Sequence, residues 1–331
     1  MREEIVIQGA GVAACCCASL LSKAGHRVFL DQSERIGTPV LLLSEQTQLL
    51  LRDVFGHPQL FDGATKISKR VVSWGQEPVT FPHAGLVLPE ALLLSRLWPK
   101  VEVESGGCSQ PDHWTVCCTR QPLGSLSQRE FGSRMASTYS VELSASTSDD
   151  SCWVEAVRDG WLFLIPCGEG FGSLISVGKT AETLLGQSKL VAQEVFRVGE
   201  VSGSFPAHPR IAQSLFAGRS ILCGTAAVAF DPIAGEGAGH AMRQGILASA
   251  VIRAAGNGGT EEDLLKHYSN RILSGFCRHL EESSRYYTID LGPWWSHESE
   301  QIRQGITWAG RELTLTHSNR FRLMGFELES I

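Results

Sequence analysis

The sequence predicts an α/β fold: a Rossmann-like dinucleotide-binding domain, an inserted antiparallel β-sheet domain and a helical C-terminal region. Three observations predict it. A strand, a glycine turn, a helix and a second strand open the chain. Four short strands then follow one another between residues 138 and 177. A second strand-to-helix glycine turn lies near residue 230. Strands alternating with helices argue for a parallel sheet, whereas strands in direct succession argue for an antiparallel one.

The first unit carries the sharpest spacing. Glu4–Gln8 is an apolar strand that runs directly into Gly9-Ala10-Gly11-Val12-Ala13-Ala14 and a helix closing at Gly25. Arg27–Leu30 follows as a strand ending in Asp31, about 20 residues beyond the glycines, as dinucleotide folds require. Gly9 allows the tight turn, Gly11 lets backbone approach a pyrophosphate, and Ala14 keeps helix and strand close. Asp31 is the expected ribose ligand, with Gln32 one register further on.

Residues 32–43 read as a loop containing Arg35, and 44–55 as a helix begun by Ser44. Residues 64–74 and 78–81 alternate as strands, 89–98 is a helix with a leucine face, and 101–104 and 114–119 read as strands. Residues 124–132 read as a short polar helix or loop. From Thr138 the pattern becomes strand, turn, strand through Val177, and 181–198 then reads as helical. Residues 220–223 form a strand leading to Gly224, Thr225 and Asp231-Pro232. The turn Gly235-Glu236-Gly237 opens a helix to about Ala255. Bare backbone amides at a helix N-terminus favour an anionic or electron-rich group. Thr260 with Glu261, Glu262 and Asp263 starts a long helix, and an aromatic tail follows from Trp294.

On these patterns the dinucleotide domain comprises residues 1–62, 88–135 and 205–258, the sheet 63–87 and 136–204, and the helical region 259–331.

Composition removes other function classes. A net charge of −6 and a pI near 5.9, with no basic stripe, exclude a nucleic-acid partner. No apolar run reaches the ~18 residues of a membrane span. The start MREEIVIQGAG runs straight into a strand rather than a signal peptide, so a cytoplasmic protein is expected. Ten cysteines lack CxxC spacing, so neither a metal centre nor a disulfide framework is expected.

The order of first glycine turn, inserted sheet and late GTAAVAFDPIAGEG stretch, residues 224–237, resembles the flavin-dependent monooxygenase superfamily. That superfamily has the p-hydroxybenzoate hydroxylase fold and includes halogenases and geranylgeranyl reductases. The family's late motif runs roughly GDAxxxxDPxxGxG. The resemblance implies FAD as the dinucleotide, held by Gly9, Gly11, Ala14, Asp31, Arg35, Gly224, Thr225, Asp231, Pro232, Gly235 and Gly237. Thr225 stands where the family has an acid for the ribityl chain, so a charge-assisted bond becomes a neutral one.

Asp159–Pro166 (DGWLFLIP) looks like the family strand on the substrate side of the flavin, which makes Trp161 and Phe163, with Trp74, candidate roof residues; ordinary core aromatics of a sheet are the other reading. Lys66, eight residues before Trp74, has a spacing similar to that of the halogenase lysine; a solvated strand lysine is the other reading. His83 and His240 are candidate proton handlers. The look of residues 71–83, 159–166 and 320–328 is similar to the group that matures tryptophylquinone cofactors.

The implied activity is hydroxylation, through a flavin C4a-hydroperoxide, of a phenol, an indole or a Trp side chain of a polypeptide. A halogenase, a prenyl reductase or a degenerate binding and maturation factor on the same fold are the alternatives. With a single dinucleotide fingerprint, reducing equivalents are expected from visiting NAD(P)H or from a partner flavin reductase.

Overall fold

A computed structural model describes residues 3–31, 37–98, 101, 103–104, 112–119, 127–315 and 321–331. The opening unit forms as its spacing requires. Glu4–Gln8 pairs in parallel with Arg27–Asp31 on one side and with Trp114–Cys117 on the other. Ser220–Leu222 adds a fourth parallel strand, and Phe216–Ala217 closes that edge antiparallel. The helix Val12–Lys23 packs on this sheet, and the helix Gly237–Gly256 packs on that helix. Their approach is close because glycine faces a small residue: a Cβ on Gly245 would lie 2.9 Å from Cys16 Cβ. Alanines and cysteines line the first helix because nothing larger fits that contact.

The second sheet has eight strands. Its order is Val195–Pro206, Met135–Leu143, Phe171–Val177, Gly160–Gly168, Ser151–Val157, Thr65–Ser73, Val79–Pro89 and Val40–Ser44. It is mixed rather than purely antiparallel, since Thr65–Ser73 runs parallel to Ser151–Val157. The central strand Gly160–Gly168 is buried on both faces. Trp161, Phe163 and Ile165 enter the main core toward the dinucleotide domain. Leu162 and Leu164 enter a smaller core with Trp153, Leu174 and Leu184. Alternation at period two divides one strand between two cores.

Several elements differ from the sequence reading. Val40–Ser44, whose first four residues were read as loop, is an edge strand paired with Val79–Pro89. Residues 181–198, read as helix, form the short helices Ala181–Leu185 and Val191–Glu194 before the strand Val195–Pro206 begins. Gln128–Glu130, in the stretch read as helix or loop, is a strand, and residues 101 and 103–104 carry no strand. The tail folds as the helix Pro293–Leu315 and a terminal hairpin, Phe321–Met324 with Glu327–Ser330.

Helix starts follow local chemistry. The Ser44 hydroxyl accepts from Thr47 N–H to begin Glu45–Phe55. Glu261–Tyr287 follows Thr260 with three acids in its first turn, where the helix dipole favours them. Among the described residues, no helix is long and apolar enough to cross a membrane.

Candidate active site

Both glycine turns lie at the carboxyl ends of the parallel strands and adjoin each other. Gly9 has φ +122°, and a Cβ there would lie 2.7 Å from Thr119 Cγ2. Gly224 has φ +60°, and a Cβ there would lie 3.0 Å from Ala13 Cβ at the start of the first helix. Gly11 begins that helix without a side-chain cap, leaving its first amides free for an external acceptor. Asp31 ends its strand exposed, accepting a hydrogen bond from Gln8 Nε2 at 3.3 Å. Thr225 is exposed beside Gly224. Ala14 is fully buried in the helix contact. Arg35 lies outside the described residues.

The late motif forms a second, stiffer turn. Asp231 caps a 3₁₀ turn over Pro232–Ala234 by accepting Ile233 N–H at 3.0 Å, and Gly235 (φ +70°) ends it. Glu236 precedes the helix Gly237–Gly256 without capping it, and a Cβ at Gly237 would meet open space. A Cβ at Gly235 would lie 3.5 Å from Arg70 Nη2 and 3.6 Å from Phe163 Cε1. The sheet therefore presents an aromatic ring and a cation to this turn, with the guanidinium 5.2 Å from the Phe163 centroid.

Asp231 is held from below by a buried network that the sequence reading did not contain. Tyr287 Oη–H donates to Asp231 Oδ2 at 2.8 Å, and Trp161 Nε1–H donates to Tyr287 Oη at 3.0 Å. Arg134 Nε lies 3.2 Å from Asp231 Oδ2, while its Nη1 donates to Glu298 Oε2 at 2.6 Å. Glu298 Oε1 also accepts from Ser133 N–H and Ser133 Oγ–H. All three charged side chains are buried. Burial pushes Asp231 above the usual carboxylate range, against the opposing pull of Arg134 and Tyr287.

Trp161 is thus a fully buried residue whose indole N–H is committed to Tyr287. Phe163 and His83 lie on the cleft side near Arg70. Lys66 is exposed next to buried Ile67 on the strand, so it points to the opposite face, away from Gly235. Trp74 donates Nε1–H to Tyr286 O at 2.7 Å and packs on Trp295, at 5.4 Å between ring centroids. Trp295 is buried and tied to Val157 O, which anchors the last long helix to the sheet.

His279 sets a pH dependence. Its Nε2 accepts Asp231 N–H at 2.9 Å, with Ser283 Oγ 3.2 Å away, so the ring is neutral with its proton on Nδ1. Burial, then His240 and Arg134, lower its pKa to about 3. His240 stacks on Phe230 at 4.0 Å and is lowered to about 4, chiefly by burial. An unfolded histidine titrates near ~6.5. Between that value and the folded ones, only the unfolded chain takes up protons. Stability is therefore complete above about pH 6.5 and falls as the pH drops toward 4. Denaturant unfolding at about pH 7 and about pH 5 is expected to show this loss. His279→Gln, whose amide oxygen can accept the same N–H, is expected to reduce it to the share that His240 contributes.

Cys17, Cys118 and Cys223 have their sulfurs within 4.8 Å of one another, buried beneath the Gly224 turn. Linear spacing conceals this trio because its members come from one helix and the ends of two strands. Three sulfurs suit a soft ion by number. No cation faces them among the described residues; hydrogen bonding to Cys17 and burial push Cys118 up, against the pull of Cys118 the same two causes raise Cys223, and the hydrogen bonds from both lower Cys17.

No family model matches the chain, and no curated protein matches it. Solved structures do. The flavin-dependent halogenase CmlS superposes with a TM-score of 0.76 at 17% identity, over 98% of this chain and 74% of its own. The peptidyl tryptophan dihydroxylase QhpG, essential for tryptophylquinone cofactor biogenesis, gives 0.72 at 19% over 100% and 86%. PqsL, a probable FAD-dependent monooxygenase from Pseudomonas aeruginosa, gives 0.65 at 16% over 94% and 100%. The chain shares the fold of these three proteins.

Proposed function

We propose that this protein is an FAD-dependent oxidoreductase that hydroxylates an electron-rich aromatic ring, a phenol or an indole, either free or as a Trp side chain of a polypeptide. The observation carrying this reading is the meeting of two glycine turns, Gly9–Gly11 and Gly224–Thr225, at the carboxyl ends of the parallel strands. A third turn at Gly235 faces the sheet. The cradle fits the group: the three turn glycines have positive φ, and both helix starts lack side-chain caps.

Gly11 and the amides after it would hold the pyrophosphate, Asp31 the adenosine ribose and Thr225 the ribityl chain. The N-terminus of Gly237–Gly256 would supply positive potential beside Gly235, which suits a group that gains negative charge on reduction. Bound FAD supplies the activation of dioxygen for oxygen-atom transfer. The protein's own residues place the substrate and exclude water: Phe163 and Leu42 wall the cleft, and the Trp161–Tyr287–Asp231 chain fixes the turn. NAD(P)H or a partner reductase provides the electrons.

The position of Lys66 favours hydroxylation over halogenation. The cation beside Gly235 is Arg70, whose guanidinium keeps its proton and cannot serve as a nucleophile.

The test is protein purified with added FAD, read by flavin absorbance and by thermal shift. Retained flavin is expected; a colourless protein with no shift ends the flavoenzyme reading in favour of a binding or maturation factor. Incubation with reductant, oxygen, halide and an indole then distinguishes addition of one oxygen atom from a chlorine isotope pattern. Thr225→Asp is expected to tighten FAD about tenfold, because a neutral hydrogen bond becomes charge-assisted. An unchanged dissociation constant would remove Thr225 from the ribityl position.

A further inference from the structure

We propose that Arg70 and His83 form an anion-recognition site at the Gly235 turn, and that the aromatic substrate bears a carboxylate that docks there. This rests on the flavoenzyme reading for the word substrate, but the site itself stands on the chain's own geometry. Arg70 reaches the cleft through a β-bulge between Ile67 and Lys69, which moves it onto the same face as buried Ile67. Its Nη2 lies 3.5 Å from where a Gly235 Cβ would be, over the turn and between Leu42 and Phe163.

Arg70 Nε and Nη2 are buried and have no hydrogen-bond partner, and His83 Nε2 is buried in the same state. Two neighbouring side chains therefore hold three unused polar atoms, and one of them carries a permanent charge.

Among the described residues no acid pairs with that charge, and Glu236 acts on the site only from a distance. Lys69, next along the strand, pairs with Asp150 at 3.6 Å. Glu236, the acid on the turn, accepts from Thr47 Oγ1 at 3.2 Å, and the Arg243 guanidinium lies on that same side. Cys152 hydrogen-bonds to Arg70, but burial raises its pKa and keeps it a neutral thiol. Burial and then the Arg70 charge lower His83 against an opposing pull from Glu236, which favours a neutral ring with one N–H to donate.

A buried guanidinium without an anion is costly, and the missing partner must match a planar fork of N–H donors. A carboxylate does so, with its attached ring falling beside Phe163. A halide supplies charge without the fork and is the competing source.

The experiment compares benzoate, benzamide and bromide in halide-free sulfonate buffer. Each is titrated into FAD-loaded and cofactor-free protein, and read by melting temperature and, where flavin is bound, by its visible spectrum. Benzoate is expected to act at a concentration at least tenfold lower than benzamide. Arg70→Met is expected to abolish this preference, Arg70→Lys to restore part of it, and His83→Leu to weaken benzoate severalfold. Without ligand, Arg70→Met is expected to melt at or above the temperature of the parent protein, because an unpaired buried cation has gone.

Equal responses to benzoate and benzamide, no benzoate response, or a preference that survives Arg70→Met would overturn the proposal. A marked fall in the melting temperature of Arg70→Met would do the same, since it would reveal a protein partner. A bromide response equal to that of benzoate would overturn the carboxylate and leave a halide site. Loss of flavin with the benzoate preference intact would instead remove the enzyme reading alone.

Discussion

Glu298→Ala is expected to destabilise the protein by about 3–5 kcal/mol, a fall in melting temperature of roughly 4–7 °C for a chain of this size. Glu298 is fully buried, and its two oxygens accept from Arg134 Nη1 at 2.6 Å, Ser133 N–H at 3.2 Å and Ser133 Oγ–H at 3.0 Å. Truncation leaves the Ser133 amide unsatisfied and a buried guanidinium with only Asp231, at 3.2 Å.

Charge bookkeeping separates this loss from a simple cavity. Arg134 lies between two carboxylates, so the cluster is formally short of one positive charge. Glu298→Gln removes that excess but keeps one acceptor oxygen, enough for Arg134 or for Ser133 and not for both, so it is expected to cost less than the alanine variant without matching the parent. Equal losses in the two variants, read by denaturant unfolding, would show that packing rather than the ion pair sets the value. Because Asp231 shares Arg134, the alanine variant is also expected to loosen the Pro232–Gly235 turn and to weaken FAD retention.

Gly9→Val is expected to abolish FAD retention, with at least a hundredfold loss of affinity, and to lower stability by several kcal/mol. A valine at φ +122° occupies backbone space that β-branched residues avoid, at a cost of about 1–3 kcal/mol. Its Cβ would also meet Thr119 Cγ2 at 2.7 Å and Cys118 Cβ at 3.3 Å. Relief requires the turn to move outward, toward the place where a pyrophosphate approaches the bare amides after Gly11. Flavin content per mole of folded protein is the measurement. Normal flavin content in this variant would place the dinucleotide elsewhere.

The parts legible in the sequence are those written locally. The Gly9–Ala14 turn, Asp31 at the strand end, the Ser44 cap and the DPIAGEG turn each depend on neighbours a few residues away. Val40–Ser44 was not legible, because a short apolar run has no period to distinguish strand from loop. The cation beside Gly235 was not legible for a related reason. Strict alternation puts Lys66 and Arg70 on one face, and only the bulge after Ile67 separates them. The network around Asp231 was invisible because its partners lie 56 and 164 residues apart in the chain, joined by no pattern in either segment.

That same network imposes an order on synthesis. The turn that faces the sheet is fastened by Tyr287 and, through Arg134, by Glu298, which emerges from the ribosome more than fifty residues after the glycines it steadies. The N-terminal unit can begin folding early, as leading segments generally do. Its cofactor cradle stays half built until the final long helix docks. A nascent chain halted before residue 298 would carry a finished fingerprint and an unfinished site.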